Sequence, residues 1–429
     1  MINKADYVAI ISGFAIRILV GLVSSHPYDT AQFAISQRLY FQYGIVDIKY
    51  FPTMPLLYYV QLPFYSIYTL LERLGLPDYQ QFYRSTLMIE GVFLKLPLML
   101  CDLGTFFVIR ALTQKRIPAL LYFFNPFIIY LSSGWGMYDS LMIFPLVTGF
   151  LFFQRYAKNG STKSTTTIAF IVSGMAKLLG FLPFAFVFVQ TLVQRRLKEA
   201  ALQLGVAIIC VIALVSPIFF VGGLTVFLVG KLQFIGLGVK SLALHTYNPI
   251  IVLVGPAAFG VSSLEAISLF LLPVYVIKTK SVGLGNSLNL NALVQCTLVA
   301  AIILNIFAIT EVEWVSWIIP LGILYGSLTK RIGLQYFTFV YGTMAAFVAM
   351  TLTQGTGYLL GTSLNFLLSV EAIPNGLQVY AVTILTLFLL TLGYVIHRPV
   401  KFKPEIIALI IMIYLQAYFW FSIVGIHNL

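Results

Sequence analysis

Apolar runs, most of about 20 residues, recur from one end of the chain to the other with short polar interruptions, and each such run can cross a hydrocarbon core as a helix. Inside lipid a backbone must satisfy its own hydrogen bonds, which a helix does within one segment. A water-facing domain has no room for so many runs. Of 429 residues, 60% are hydrophobic and 9% are charged, with a mean hydropathy of +0.95, where soluble domains carry roughly a quarter charged residues. The expectation is an all-α, polytopic membrane helix bundle forming a single integral domain over 1–429. About 11 to 13 transmembrane helices are placed near 6–24, 88–112, 117–132, 140–155, 166–180, 180–194, 202–221, 250–277, 291–309, 314–329, 332–352, 376–396 and 404–424. Gly180 and Pro183 are expected to break the 166–194 region into two pieces.

The net charge of +12 is a topology signal and not a nucleic-acid footprint, because Lys and Arg lie in short clusters between apolar runs and form no stripe. With the N-terminus placed in the cytoplasm, seventeen of the 26 basic residues, among them Lys4, Arg110, Arg116, Arg155 and Lys163, fall on the inner face, against six outside. The outer face then carries the longest connections, 25–87, 222–249 and 353–375. Although 55–72 is apolar, counting it as a span would invert the later charge clusters, so 25–87 is expected to hold interfacial helices. Lys4 and the apolar run after it, with no small-residue cleavage pattern, are read as a retained first span. Cys101, Cys210 and Cys296 lie in apolar segments without metal or redox spacing and are read as inert.

Ionisable groups at membrane depth are costly, so each calls for a partner or a role. Lys95 and Asp102, two helical turns apart, are expected to neutralise one another or neighbours. Arg17 and Lys177 lie nearer span ends, where they can snorkel, and Lys177 can also face an anionic ligand. Four polar groups converge on the outer face: His26-Pro27-Tyr28-Asp29, Trp135-Gly136-Met137-Tyr138-Asp139, His245-Thr246-Tyr247-Asn248 and Glu311-Val312-Glu313-Trp314. Asp29 is either a catalytic base or the N-cap of a helix starting at Thr30, and Asp139 can likewise cap a helix starting at Ser140. Trp135 reads equally as an interfacial anchor, Glu311 and Glu313 as helix-start carboxylates, and His245 as a loop residue.

The run Leu94-Lys95-Leu96-Pro97 with Asp102-Leu103-Gly104, followed by Asn125-Pro126 and Trp135-Gly136-Met137-Tyr138-Asp139, resembles the Lys-x-Pro…Asp and Asn-Pro…Trp-Gly-x-x-Asp pattern of archaeal and bacterial GT-C membrane glycosyltransferases. These resemble the dolichyl-phosphate-glucose-dependent glucosyltransferases and, more loosely, the GPI mannosyltransferases. Lys177 with Leu182-Pro183 is similar to a later segment of the family, and Asp29 agrees in position with its acidic residue in the first outer loop. The match covers roughly 90–185, within a motif-bearing half (1–200). The half from 201 to 429 matches nothing specific, Met137 stands where Gln is commoner, and Glu311-Val312-Glu313 is a reduced His-Glu-Arg-like element.

The resemblance implies inverting transfer of a hexose, glucose or mannose, from a polyprenyl- or dolichyl-phosphate donor to a lipid-linked glycan or similar acceptor on the extracytoplasmic face of the cell membrane. It makes Asp29 the general base, and Lys177, His245 and Lys95 the groups that hold the donor phosphate. Trp135, Tyr138 and Asp139 shape the sugar pocket, with Glu311 and Glu313 nearby. No metal or other cofactor is implied. Two rival classes are a transporter or flippase of lipid-linked saccharides, and an assembly protein whose outer polar residues only cap and anchor.

Overall fold

The computed structural model describes residues 4–25, 29–45, 55–75, 89–159, 163–220, 289–307, 316–340 and 342–343. Among these, every regular element is a helix. In chain order they are α1 (Lys4–Val23), α2 (Asp29–Tyr43), α3 (Pro55–Arg73), α4 (Ile89–Thr113), α5 (Arg116–Phe123), α6 (Pro126–Ile129), α7 (Asp139–Asn159), α8 (Lys163–Ala176), α9 (Phe181–Val193), α10 (Leu197–Phe220), α11 (Leu290–Phe307) and α12 (Ile318–Leu328). A further helical stretch covers 332–340. Among the described residues two helices, α4 and the Leu197–Pro217 part of α10, are long and apolar enough to cross a membrane.

The expected span at 117–132 is bent. Its halves, Arg116–Phe123 and Pro126–Trp135, meet at 49°, and counting them as one span makes three candidates. The break is written locally. Pro126 has no N–H to continue α5 and suits the first position of a helix, while Asn125 Oδ1 caps α6 by accepting from the Phe127 and Ile128 amides at 3.0 and 3.2 Å. Asn125 Nδ2 also donates to Thr343 Oγ1 at 2.7 Å, which fastens the joint to the later part of the chain.

Helices α1 and α4 run antiparallel. At one end the buried Asp6 pairs with Arg110 at 2.6 Å and Arg116 at 3.1 Å. At the other end Lys95 Nζ donates to the Ser24 carbonyl and Ser25 Oγ, both at 2.6 Å, and to the Gly21 carbonyl at 3.3 Å. These carbonyls are the ones the end of α1 leaves without helical partners, so a buried cation suits them. Between the two ends the core is packed by Leu98, Met99, Phe106, Tyr122, Phe123, Phe127, Met142 and Phe150. Helices α7 and α8 form an antiparallel hairpin, with Ser173 Oγ donating to the Met142 carbonyl at 2.8 Å.

The 25–87 segment supplies α2 and α3, both lying against α4. Arg38 grips the fully buried Glu90 with Nε at 2.8 Å and a second donor from Nη2, and Tyr65 donates to the same carboxylate. Burial pulls the Arg38 guanidinium down, but Glu90 more than reverses this and holds it above its ordinary value. Gln61 Nε2 reaches the Leu94 carbonyl at 3.1 Å, and Gln37 Nε2 the Tyr58 carbonyl at 3.2 Å.

The helix break after α8 falls earlier than Gly180 and Pro183 suggest. It opens at Lys177, continues through a 3-10 turn at Leu178–Gly180, and leaves Pro183 inside the first turn of α9, where its missing N–H costs nothing.

Candidate functional site

Two carboxylates, each held by a tryptophan indole, define the site. The first is Asp29, the opening residue of α2, whose Oδ2 accepts from Trp135 Nε1 at 2.8 Å. Next to it Thr30 Oγ1 donates to the Trp135 carbonyl at 2.8 Å, so the start of α2 is pinned to one residue by two bonds. Trp135 is buried and is not an interfacial anchor. It ends a π turn over Tyr130–Trp135 that widens the chain before Gly136, which adopts φ +88°. Only glycine takes this conformation without strain, and a Cβ there would also press on Thr30 Oγ1 at 3.2 Å and the Lys95 stem at 3.3 Å. Single π turns of this kind recur at functional sites.

The second carboxylate is Asp139, at the start of α7 and fully buried. Lys177 Nζ reaches its two oxygens at 2.9 and 3.0 Å, and Trp317 Nε1 donates to Oδ1. The helix starts at Asp139 itself, one residue before the expected Ser140, and its carboxylate binds Lys177 and Trp317. Lys177 is 7% exposed, so it does not snorkel. Its ammonium lies 4.7 Å from the Tyr138 ring centroid and 5.6 Å from that of Trp317, a box of two aromatic faces and one carboxylate. Tyr138 also meets Phe33 of α2 edge-on at 6.4 Å, so the ring that faces Lys177 also touches the helix that Asp29 opens.

Asp29, Trp135, Tyr138, Asp139 and Lys177 therefore come together at the end of the helices opposite the Asp6–Arg110–Arg116 cluster. Lys95 is beside them under Gly136, but its ammonium is taken up by the end of α1. Asp102 is not its partner. The Asp102 carboxylate pairs with Arg17, Nε to Oδ2 at 3.1 Å, both side chains being fully buried. Arg17 thus does not snorkel either. Its other nitrogens donate to the Phe123 carbonyl at 2.9 Å and the Gly13 carbonyl at 3.2 Å, and its guanidinium covers the Phe123 ring. His245, Glu311 and Glu313 lie outside the described residues, as do His26, Pro27 and Tyr28.

Trp317 escaped the sequence reading. A tryptophan opening an apolar run reads as a membrane-interface residue, and no local spacing ties it to Asp139. Among the described residues no group of three His, Cys, Asp or Glu side chains is placed to hold a metal ion, and the cysteines are unpaired.

The chemistry available is that of a half-buried carboxylate that accepts from an indole, beside a lysine that pairs with a buried carboxylate and faces two aromatic rings. Fold and site together define, among the described residues, a helical assembly with membrane-length apolar helices and a polar centre at one end. Comparison with protein-family models, curated proteins and solved structures returned no match.

Proposed function

We propose that this chain is a glycosyltransferase that moves a hexose, glucose or mannose, from a polyprenyl- or dolichyl-phosphate donor to a lipid-linked glycan or similar acceptor. In this reading it is a multi-pass GT-C-type bundle with about 11 to 13 spans and a cytoplasmic N-terminus, working on the outer face of the cell membrane. The observation that carries it is the pairing of Asp29 with Trp135 beside the Lys177 cluster. Asp29 takes the proton of the acceptor hydroxyl while that oxygen forms its bond to the anomeric carbon. The bond from this carbon to the donor phosphate breaks, and the lipid phosphate leaves with the electron pair. Lys177 opposes the charge that builds on that phosphate, a role for which a cation already fixed in place needs no reorganisation.

A flippase is the second reading, favoured by the helix broken at Lys177, because interrupted helices with charged residues at the break also line transport paths. The test is transfer of labelled sugar from polyprenyl-phosphate-glucose and polyprenyl-phosphate-mannose to lipid acceptors, by purified protein and by Asp29→Asn. Incorporation abolished in the variant supports the transferase. No transfer by the native chain, with labelled lipid still crossing proteoliposomes, replaces it with the flippase.

A further inference from the structure

We infer that Asp102, which touches neither indole, is the positioning residue that sets Trp135 against Asp29 and Asp139 against Lys177. Its two oxygens accept four side-chain donors from four elements. Oδ1 takes Tyr122 OH at 2.8 Å and Ser140 Oγ at 2.7 Å, while Oδ2 takes Arg17 Nε at 3.1 Å and Ser132 Oγ at 2.7 Å. Ser132 lies in the π turn that ends at Trp135, and Ser140 follows Asp139 at the head of α7. One rigid carboxylate therefore joins the segment that orients the candidate base to the segment that orients the candidate cation.

A purely structural ion pair needs only Arg17. The two serines turn this pair into a gauge of the distance between the two halves of the site. A carboxylate can accept all four donors, whereas an asparagine offers one acceptor oxygen and a donor nitrogen, so Asp102→Asn releases one half or the other. Displacing a group that orients substrate by about 1 Å costs on the order of 100-fold in rate.

The inference rests on the reading of Asp29 and Lys177 as the working groups, so its test includes a readout independent of transfer. The chain has 4 tryptophans, and their indole N–H resonances can be assigned by single Trp→Phe variants in detergent-solubilised protein. Ser132→Ala is expected to shift the Trp135 indole and spare Trp317, Ser140→Ala to do the reverse, and Asp102→Asn to shift at least one of the two and lower transfer about 100-fold. Unmoved indoles in all three variants overturn the positioning role, whatever happens to thermal stability. If Asp102→Asn does not fold, the two serine variants decide alone. Absence of transfer by the native chain would refute the transferase reading while leaving the indole result to stand or fall separately.

Discussion

Replacing Arg17 with Met keeps the length and apolar contacts of the side chain but leaves the Asp102 carboxylate without its cation, and the expected loss follows from the geometry. Both groups have fully buried side chains, so solvent screens neither. Charge centres about 4 Å apart attract by about 4 kcal/mol at an effective dielectric constant near 20. Removing one partner of such a pair costs roughly 3–5 kcal/mol. Tyr122, Ser132 and Ser140 still donate to Asp102, which places this variant toward the lower end of that range. A loss of about 3 kcal/mol is a fall of roughly 150-fold in the folded-to-unfolded ratio. Reversible SDS unfolding in mixed micelles reads it directly. The double variant Arg17→Met/Asp102→Asn, which buries no charge and keeps one acceptor oxygen for the hydroxyls, is expected to recover part of the loss. A single variant within about 0.5 kcal/mol of native, or a double variant whose losses simply add, refutes the account of this node.

Trp135→Phe keeps an aromatic ring but removes the donor to Asp29, and should lower transfer by about 10- to 100-fold, as expected for a hydrogen bond to a charged group worth roughly 1.5–3 kcal/mol; equal rates in the native and variant proteins would remove the indole from the mechanism. Gly136→Ala forces a Cβ into left-handed backbone and against Lys95 and Thr30, and is expected to cost about 1–2 kcal/mol in the same unfolding assay, where a neutral result contradicts the turn. Burial pushes the Tyr59 phenol up to about 12. Because its folded value lies above the unfolded one, the stabilisation is complete below pH of about 10 and lost as pH rises through about 12, so melting temperature should hold until about pH 10 and then fall as tyrosinate absorbance grows.

Features written in short stretches of sequence were legible. The helical character of the described residues, the interruption between α8 and α9, and, to within one residue of the expected Thr30 and Ser140, the helix starts at Asp29 and Asp139 follow from local composition and from Pro, Gly and Asp placement. The joint at Asn125-Pro126 is not among them: the span expected at 117–132 runs straight through it. Asp29, Trp135, Tyr138 and Asp139 stand out in the sequence because they share one end of the expected topology, and Lys177 because it is a charge within an apolar span. What failed was partner choice. Arg17 and Asp102 are 85 positions apart, and Asp139 and Trp317 are 178 apart. Periodicity places each of these on a helix face but leaves open which helix that face meets, so Lys95 stands as a partner for Asp102 in the sequence, and Trp317 does not stand out at all.

The spacing between paired charges also imposes an order on biogenesis. Asp139 and Lys177 sit at the matching ends of the α7–α8 hairpin, 38 residues apart, and can leave the ribosome's exit site as a neutral unit. Arg17 has no such companion nearby. Its carboxylate is made 85 residues later, so this ion pair cannot form until α4 has been synthesised as far as Asp102.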